Sequence, residues 1–520
     1  MYAHARKLAT HSLIVMVGFA LSRLFGLARN VVLAQQFGTG REYEAFIAAL
    51  IVPDLVFQIL AGGAVGSAFI PVFKGYFARD DEDEAWRFTS KVMSLAFAAT
   101  APVALVLALL ARPLTELLVP GWDAADKDLT ATLMRTMMIS PAIFALSGFA
   151  ASVLNSFQRF ALAALAPIVY NLAIILSALL LRPFGIEGVA VGVAVGALLH
   201  LLVQVPGLIG LGMRFRFSLD IAHAGVREVL TLMGPRMIGL GVTQVNQLVN
   251  VMLASYLVVG SIGYLNVAWL MVMTPLVLAM AVSTAVFPTL AEESAQDNPE
   301  AVKEVFLISL RSILFLSVPM AIGLMVLGEP LIRLFFERGE FTAESTRMTA
   351  FALTFYAIGL AGHATVEIVD RVFYAVHDTG TPVKAAGMAF AINVILSLAL
   401  MSTPLNYRGL ALANALAALA EAALLLYLVQ RRLDGLALRG VLTSLGKTVA
   451  ASLVMGITIA ALPRLMGRYF GNYFALPASL ELVIVIGTVA LAGATVYLLL
   501  AYLLRSEEVR LLLRLARARR

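Results

Sequence analysis

Ser67-Ala-Phe-Ile-Pro71 and Thr284-Ala-Val-Phe-Pro288 stand 217 residues apart, and the same interval carries Pro102 to Pro319 and Pro113 to Pro330. Around the last pair, Ala111-Arg-Pro-Leu114 lies over Gly328-Glu-Pro-Leu331, and further on Gly188-Val-Ala-Val191 matches Gly409-Leu-Ala-Leu412 at a slightly drifted interval. One offset shared by three prolines marks an internal duplication. The duplicated material is apolar. Of the 520 residues 61% are hydrophobic and 13% charged, with a mean hydropathy of +0.90, where a soluble protein carries about 25% charged residues. Such a chain cannot cover its apolar surface in water, so lipid is its solvent.

A crossing of the bilayer takes roughly 20 apolar residues as a helix. The apolar runs predict fourteen spans, at 11–37, 45–77, 88–111, 130–155, 161–181, 187–212, 231–258, 262–291, 305–327, 348–375, 383–403, 408–430, 445–463 and 480–504. Six crossings per repeat return the chain to the side it started from, so the two halves are parallel. The expected fold is therefore all-α and polytopic. It has an N-lobe over 1–217, a C-lobe over 218–433 and a pair of helices with a basic tail over 434–520, the lobes enclosing a cavity. The tail Arg505–Arg520 reads as an amphipathic helix on anionic headgroups, with a partner-binding tail as the alternative.

Several function classes drop out. Cysteine is absent, and no two of the six histidines stand at the helical metal-site spacing. No phosphate-binding or dinucleotide loop is present, so no cofactor is expected, and the energy must come from the membrane potential, a monovalent cation or the substrate's own gradient. A net charge of +6 and a pI near 9.5 raise the question of nucleic acid. Most Lys and Arg residues, however, fall in the loops that an N-inside topology puts in the cytoplasm, which predicts cytoplasmic termini and needs no nucleic acid. The first apolar run follows Lys7 without a signal cleavage site, so the N-terminus is expected to stay on the protein.

Ionisable groups inside spans are costly enough to point to function. Ser22, Arg29 and Gln36 fall on one helical row of the first span, with Arg23 and Asn30 beside them. Arginines there suit a wet cavity and an anionic, phosphate-bearing substrate, because the planar guanidinium donates two hydrogen bonds and never loses its charge. The alternative is that Arg29 snorkels to an interface or pairs with Glu44. Pro53, Gly62, Gly63 and Pro71 make the second span a candidate hinge, and Gly26 a further one in the first. In the seventh span Arg236, Asn246 and Asn250 either bind a polar headgroup or glue helices together. In the tenth, Glu367 and Arg371 have ion-pair spacing and read as a gate contact or as part of a cation relay. Gly188, Gly192 and Gly196 form small-residue steps that let helices approach closely.

Ser22-Arg-Leu-Phe-Gly-Leu-Ala-Arg29, Phe37-Gly38, Glu44-Ala-Phe46, Pro53-Asp-Leu55, Ala61-Gly-Gly-Ala64, Ala68-Phe-Ile-Pro71, Leu165-Ala-Pro-Ile-Val-Tyr-Asn171, Gly234-Pro235 and Thr381-Pro-Val-Lys384 together resemble the MurJ/MviN family of lipid II flippases over nearly the whole chain. The resemblance implies the fold of the multidrug/oligosaccharidyl-lipid/polysaccharide exporters, with the last two helices forming a groove for a polyprenyl tail. It implies movement of the undecaprenyl-diphosphate-linked peptidoglycan precursor across the bacterial inner membrane, with other cell-wall synthesis proteins as partners. Arg23 and Arg29 match arginines implicated there in headgroup binding, and Glu44 matches the family's acidic residue. Phe57-Gln58 stands where enterobacterial members have an Arg pair, and Asn266-Val-Ala-Trp-Leu-Met271 carries no charge where a cavity arginine is usual. An exporter of another lipid-linked oligosaccharide, an ion-coupled drug antiporter on the same fold and a non-transporting envelope scaffold stay open at this point.

Overall fold

The computed structural model of the chain describes residues 2–60, 64–433, 435–470 and 478–510, with side chains left out at 2–15, 60, 64, 65, 67, 234–243, 464–470, 478 and 479. Gly62, Gly63, the Arg236 side chain and the tail beyond 510 therefore lie outside the described residues. Among these residues the secondary structure is helical, with no strand. The α-helices are α1 Tyr2–Phe37, α2 Arg41–Leu60, α3 Ala64–Phe77, α4 Glu82–Leu109, α5 Ala111–Leu118, α6 Ala124–Met137, α7 Ser140–Ser156, α8 Phe160–Leu180, α9 Gly185–Leu202, α10 Val205–Ile209 and α11 Ala224–Ala254. They continue as α12 Ser261–Ala295, α13 Pro299–Phe336, α14 Ala343–Ile358, α15 Leu360–Ala375, α16 Gly380–Met401, α17 Tyr407–Arg432, α18 Leu438–Phe470 and α19 Ala478–Leu503.

Local chemistry starts several of these helices. Asp81 accepts the Glu84 N–H ahead of α4, whose first turn holds Glu82, Asp83 and Glu84. Asn298 accepts the Ala301 N–H ahead of α13, with Pro299 at its first position. Both patterns satisfy N–H groups that have no partner inside the helix and place negative charge or a preset φ at its positive end.

Eleven helices among the described residues are long and apolar enough to cross a membrane, or twelve if the pair α14 and α15, bent by 43° at Gly359, is one span. Two of the fourteen expected segments are not among them. The expected span at 45–77 falls on α2 and α3 with 61–63 outside the description, and 231–258 falls on α11, part of whose side chains are outside it.

By its contacts the chain divides into two compact units, Met1–Gly263 with Gly339–Phe341, and Tyr264–Arg338 with Thr342–Arg520. Helix α11 thus sits with the first unit, although the repeat places 218–433 in the second half. The short segment Gly339–Phe341 belongs there because the Glu340 N–H donates to the Gln35 carbonyl at 2.8 Å. Gly339 has φ +59, and a Cβ on it would fall 2.2 Å from that same oxygen, so only glycine fits.

The first unit is cored by Phe69, Phe73, Phe88 and Phe149, contributed by α3, α4 and α7, with Val226, Val229 and Met233 of α11 against them. Phe69 lies 5.2 to 5.5 Å from the other three rings, within the range where aromatic pairs gain beyond their buried area. Helices α8 and α9 touch along the predicted glycine row. A Cβ at Gly192 would lie 1.8 Å from Ser177 Oγ, and one at Gly196 2.9 Å from the Tyr170 ring. In lipid, where apolar surface gains nothing by leaving its solvent, such backbone approach supplies the packing.

In the second unit α18 and α19 pack on α13 through Phe315, Met455, Ile459, Val489 and Tyr497, and the Tyr497 hydroxyl donates to the Phe315 carbonyl at 2.6 Å. Gly359 and Gly362 bring α15 against Ala415 and Ala418 of α17. The duplication is visible in local packing. A Cβ at Gly188 would meet the Leu181 carbonyl at 2.8 Å, and one at Gly409 would meet the Leu400 carbonyl at 2.8 Å, so each paired glycine sits under the end of the helix before it. The copies also differ: the chain breaks at Leu110 before Pro113, whereas α13 runs unbroken through Pro330.

Candidate functional site

The arginine row of α1 lies on a helix that packs along α8. Gly18 faces Ala164 closely, and a Cβ at Gly26 would come 4.0 Å from Asn171 Oδ1, an ordinary contact. Helix α1 runs unbroken through Gly26, so nothing in its geometry marks the expected hinge there. Arg23 is exposed and carries its guanidinium 5.2 Å over the Phe19 ring. Arg29 and Asn30 are half-buried.

Arg29 is the unusual member. Its Nε is buried with no hydrogen-bond partner among the described residues, which is costly for a donor on a permanent cation unless something else fills the space. Three groups stand within its electrostatic reach: Tyr43 and Asp54 of α2, and Tyr170 of α8. Asp54 is exposed. Asp54 follows the buried Pro53 in α2, and Tyr170 also stands in its field. Arg29, which has donors only, makes no ion pair with Asp54, and its Nε stays without a partner among the described residues.

Phe57, Phe144 and Tyr170 form an aromatic row, with Phe144 at 5.2 Å from each of the other two. Phe57 is one of the residues standing in place of the expected arginine pair. Against Phe144 stands His200, 5.2 Å away, and a polar network joins Ser147 Oγ to His200 Nδ1 at 2.6 Å and Gln204 Nε2 to the His200 carbonyl at 2.9 Å.

Glu44, expected at the substrate, belongs elsewhere. It is 1% exposed, takes Arg41 at 3.0 Å and accepts the Ile262 N–H at 2.8 Å, while Arg41 also reaches Asp126 at 2.8 Å. Its carboxylate therefore caps the first N–H groups of α12 and is sealed from any ligand; the alternative pairing of Glu44 with Arg29 is not made. Asn250 donates to Asn246 at 3.2 Å, one turn earlier on the same helix α11. Pro71 is exposed within α3.

In the second unit Glu367 and Arg371 pair at 3.7 Å. Arg371 Nε also donates to Ser283 Oγ at 3.0 Å, and that hydroxyl donates to the Glu367 carbonyl at 2.7 Å. The pair is thus a fastening of α15 to α12. Asp370 Oδ1 is buried without a partner among the described residues, and Glu421 of α17 lies in its field. No group of three or more His, Cys, Asp or Glu side chains able to hold a metal ion occurs among the described residues. Asp54, Tyr170, Ser283 and Glu421 were not singled out by spacing; the rule that flags arginines in spans flags Asp54 and Glu421 equally.

Long apolar helices in duplicated halves, with a half-buried arginine inside the first span, are the architecture of a polytopic membrane transporter. Solved structures agree: an inward-facing multidrug resistance MATE family transporter of the MOP superfamily matches with a TM-score of 0.66 at 13% identity, covering 81% of this chain and 98% of that one, a likeness of fold. A lipid II flippase MurJ in an inward closed conformation matches with a TM-score of 0.78 at 25% identity over 94% of this chain and 98% of that one. The family described as lipid II flippase MurJ matches residues 33–481. A probable lipid II flippase MurJ of Vibrio cholerae is 30% identical over 462 residues, 86% of each chain. The chain belongs to the MurJ family.

Proposed function

We infer that this chain is a lipid II flippase, a transporter and not an enzyme, which carries the diphosphate-linked peptidoglycan precursor from the inner to the outer leaflet of the bacterial inner membrane. Family membership supports the cargo, and the single observation in the fold that carries the chemistry is Arg29, a half-buried arginine whose buried Nε is an unused donor among the described residues. A diphosphate headgroup cannot cross about 30 Å of hydrocarbon unaided, since even one unpaired charge costs several kcal/mol. Arg29 offers it a partner within the membrane while the prenyl tail stays in lipid. Arg23, exposed six residues earlier, meets the headgroup on its way, and the site is exposed to each side in turn.

Both termini lie in the cytoplasm in this reading, as the distribution of Lys and Arg demands. The membrane potential supplies a driving force of the right sign. An inside-negative potential favours outward movement of a net negative headgroup by about 2.3 kcal/mol per charge per 100 mV, with or without a monovalent cation. Cell-wall synthesis proteins act before and after it on the same lipid.

The experiment is complementation of cells depleted of their own lipid II flippase. Wild-type chain restores growth, and Arg29→Ala fails to restore it while accumulating normally in the membrane. Normal growth on Arg29→Ala would remove Arg29 from the mechanism.

A further inference from the structure

We propose that the extended segment 214–221, between α10 and α11, is an in-plane membrane anchor. Its apolar row Phe215, Phe217, Leu219 and Ile221 seats in the phospholipid interface of the leaflet where the span Arg182–Ile209 ends. In the orientation read above this is the cytoplasmic leaflet.

Residues 213–220 carry no helix, and three hydrogen bonds hold them along α4. The Arg216 N–H donates to Ser90 Oγ at 3.2 Å, that hydroxyl donates to the Arg214 carbonyl at 3.5 Å, and the Ser218 N–H donates to Ser94 Oγ at 3.1 Å. Both serines are buried on α4, one turn apart, a rise of about 5.4 Å against about 6.6 Å for two residues of extended chain. Asp220 closes the row on Lys91 at 3.1 Å. Successive residues of an extended chain point to opposite sides, so the fastening sorts them. Arg214 and Arg216 line a polar cleft of about 640 Å³ with Asp80, Asp81, Glu82 and Asp83. The odd-numbered residues are apolar and little covered by protein: Phe215 is 51% exposed, Phe217 64%, Leu219 51% and Ile221 59%. Leu211 and Met213, just before them, still pack on the aromatic core of the first unit.

This row lies outside the spanning helices, so crossing the bilayer does not account for it. Water is a poor occupant, because four such neighbours form an apolar patch of the kind that soluble surfaces rarely leave open. The hydrocarbon core is equally poor, since the Phe215, Phe217 and Leu219 N–H groups have no partner among the described residues and lipid tails offer none. The interface supplies both, acyl carbon for the rings and water for the backbone. The chain is already at that depth: it leaves a span at Ile209 and enters α11 at Ala224.

The chain has no cysteine, so a nitroxide on a single introduced cysteine reports one position. Arg214→Cys, Arg216→Cys, Phe217→Cys and Leu219→Cys are each labelled in full-length protein reconstituted in vesicles of phosphatidylcholine and phosphatidylglycerol. Electron paramagnetic resonance then reads the access of oxygen, which favours lipid, and of a water-soluble nickel chelate. Labels at 217 and 219 are expected about 5–10 Å into the headgroup and acyl boundary, with an oxygen-to-chelate ratio at least about threefold that at 214 and 216. Phe215→Ser with Leu219→Ser should shift the label at 217 toward the chelate. Ser90→Ala with Ser94→Ala, which keeps every apolar side chain, should flatten the alternation between 216 and 217. The labelled positions are exposed, so the four single variants decide the matter where a serine or alanine pair does not fold. A label at 217 that meets the chelate as freely as one at 216 would overturn the anchor. Exclusion of both reagents at 217 would overturn it equally, because the row would then be covered by protein, a second copy of this chain being the one present.

Discussion

Arg29 and Glu44 carry opposite charges and opposite duties. Glu44 is buried with both Arg41 and the Ile262 N–H on its carboxylate, so Glu44→Gln should lower the thermal midpoint of the purified protein. The cost is about 1.5–3 kcal/mol, the usual value of a hydrogen bond to a charged group, and headgroup affinity in protein that remains folded should be unchanged. Arg29 should respond in the reverse manner. Arg29→Lys keeps the charge and loses the two-pronged donor, so transport of labelled lipid II into the outer leaflet of vesicles should fall at least about tenfold with the midpoint little moved. The arginine was legible because a cation in an apolar helix needs a reason. The duty of Glu44 was not legible, because the Ile262 N–H it accepts lies 218 residues further on and no spacing within one segment encodes that.

Between neighbouring helices, shape decides more than charge. Gly192 admits Ser177 so closely that a methyl group would fall 1.8 Å from its hydroxyl, so Gly192→Ala should destabilise the α8–α9 pair by about 1–3 kcal/mol, and adding Ser177→Gly should recover part of the loss. Thermal unfolding of the single and double variants in one detergent measures both. The start of α16 depends on a polar turn. Asp378 accepts the Thr381 N–H at 3.0 Å, its hydroxyl at 2.8 Å and the Gly380 N–H at 3.1 Å, and these donors, the Thr381 N–H foremost, hold its carboxyl below the usual range. A depressed carboxylate stabilises above its ordinary pKa near 3.9 and loses that contribution as pH falls through the lower folded value. Asp378→Ala should therefore lower the midpoint at pH 7 and make less difference in strong acid. The sequence motif Thr381-Pro-Val-Lys384 was legible as a marker; its work as a cap partner became visible only with the turn.

For the molecule as a whole, the driving force is the measurable quantity. In vesicles with an imposed potential, negative on the side of the termini, outward flipping of labelled lipid II should accelerate, and it should slow when the potential is collapsed by an ionophore. A rate indifferent to potential in every cation tested would place the driving force in the substrate gradient alone. The sequence by itself determined that the chain is a helical membrane protein and that it is duplicated. Hydropathy, proline spacing and the cost of charge in lipid are properties of short segments or of their recurrence. It also marked Gly188, Gly192 and Gly196 as close contacts, since only small residues let backbones meet. Only the tertiary structure decided that Glu44 caps a helix and that Glu367 and Arg371 fasten α15 to α12 through Ser283. Each of those depends on which side chains from distant segments arrive at one depth on facing helices, and that is fixed by packing of the assembled bundle.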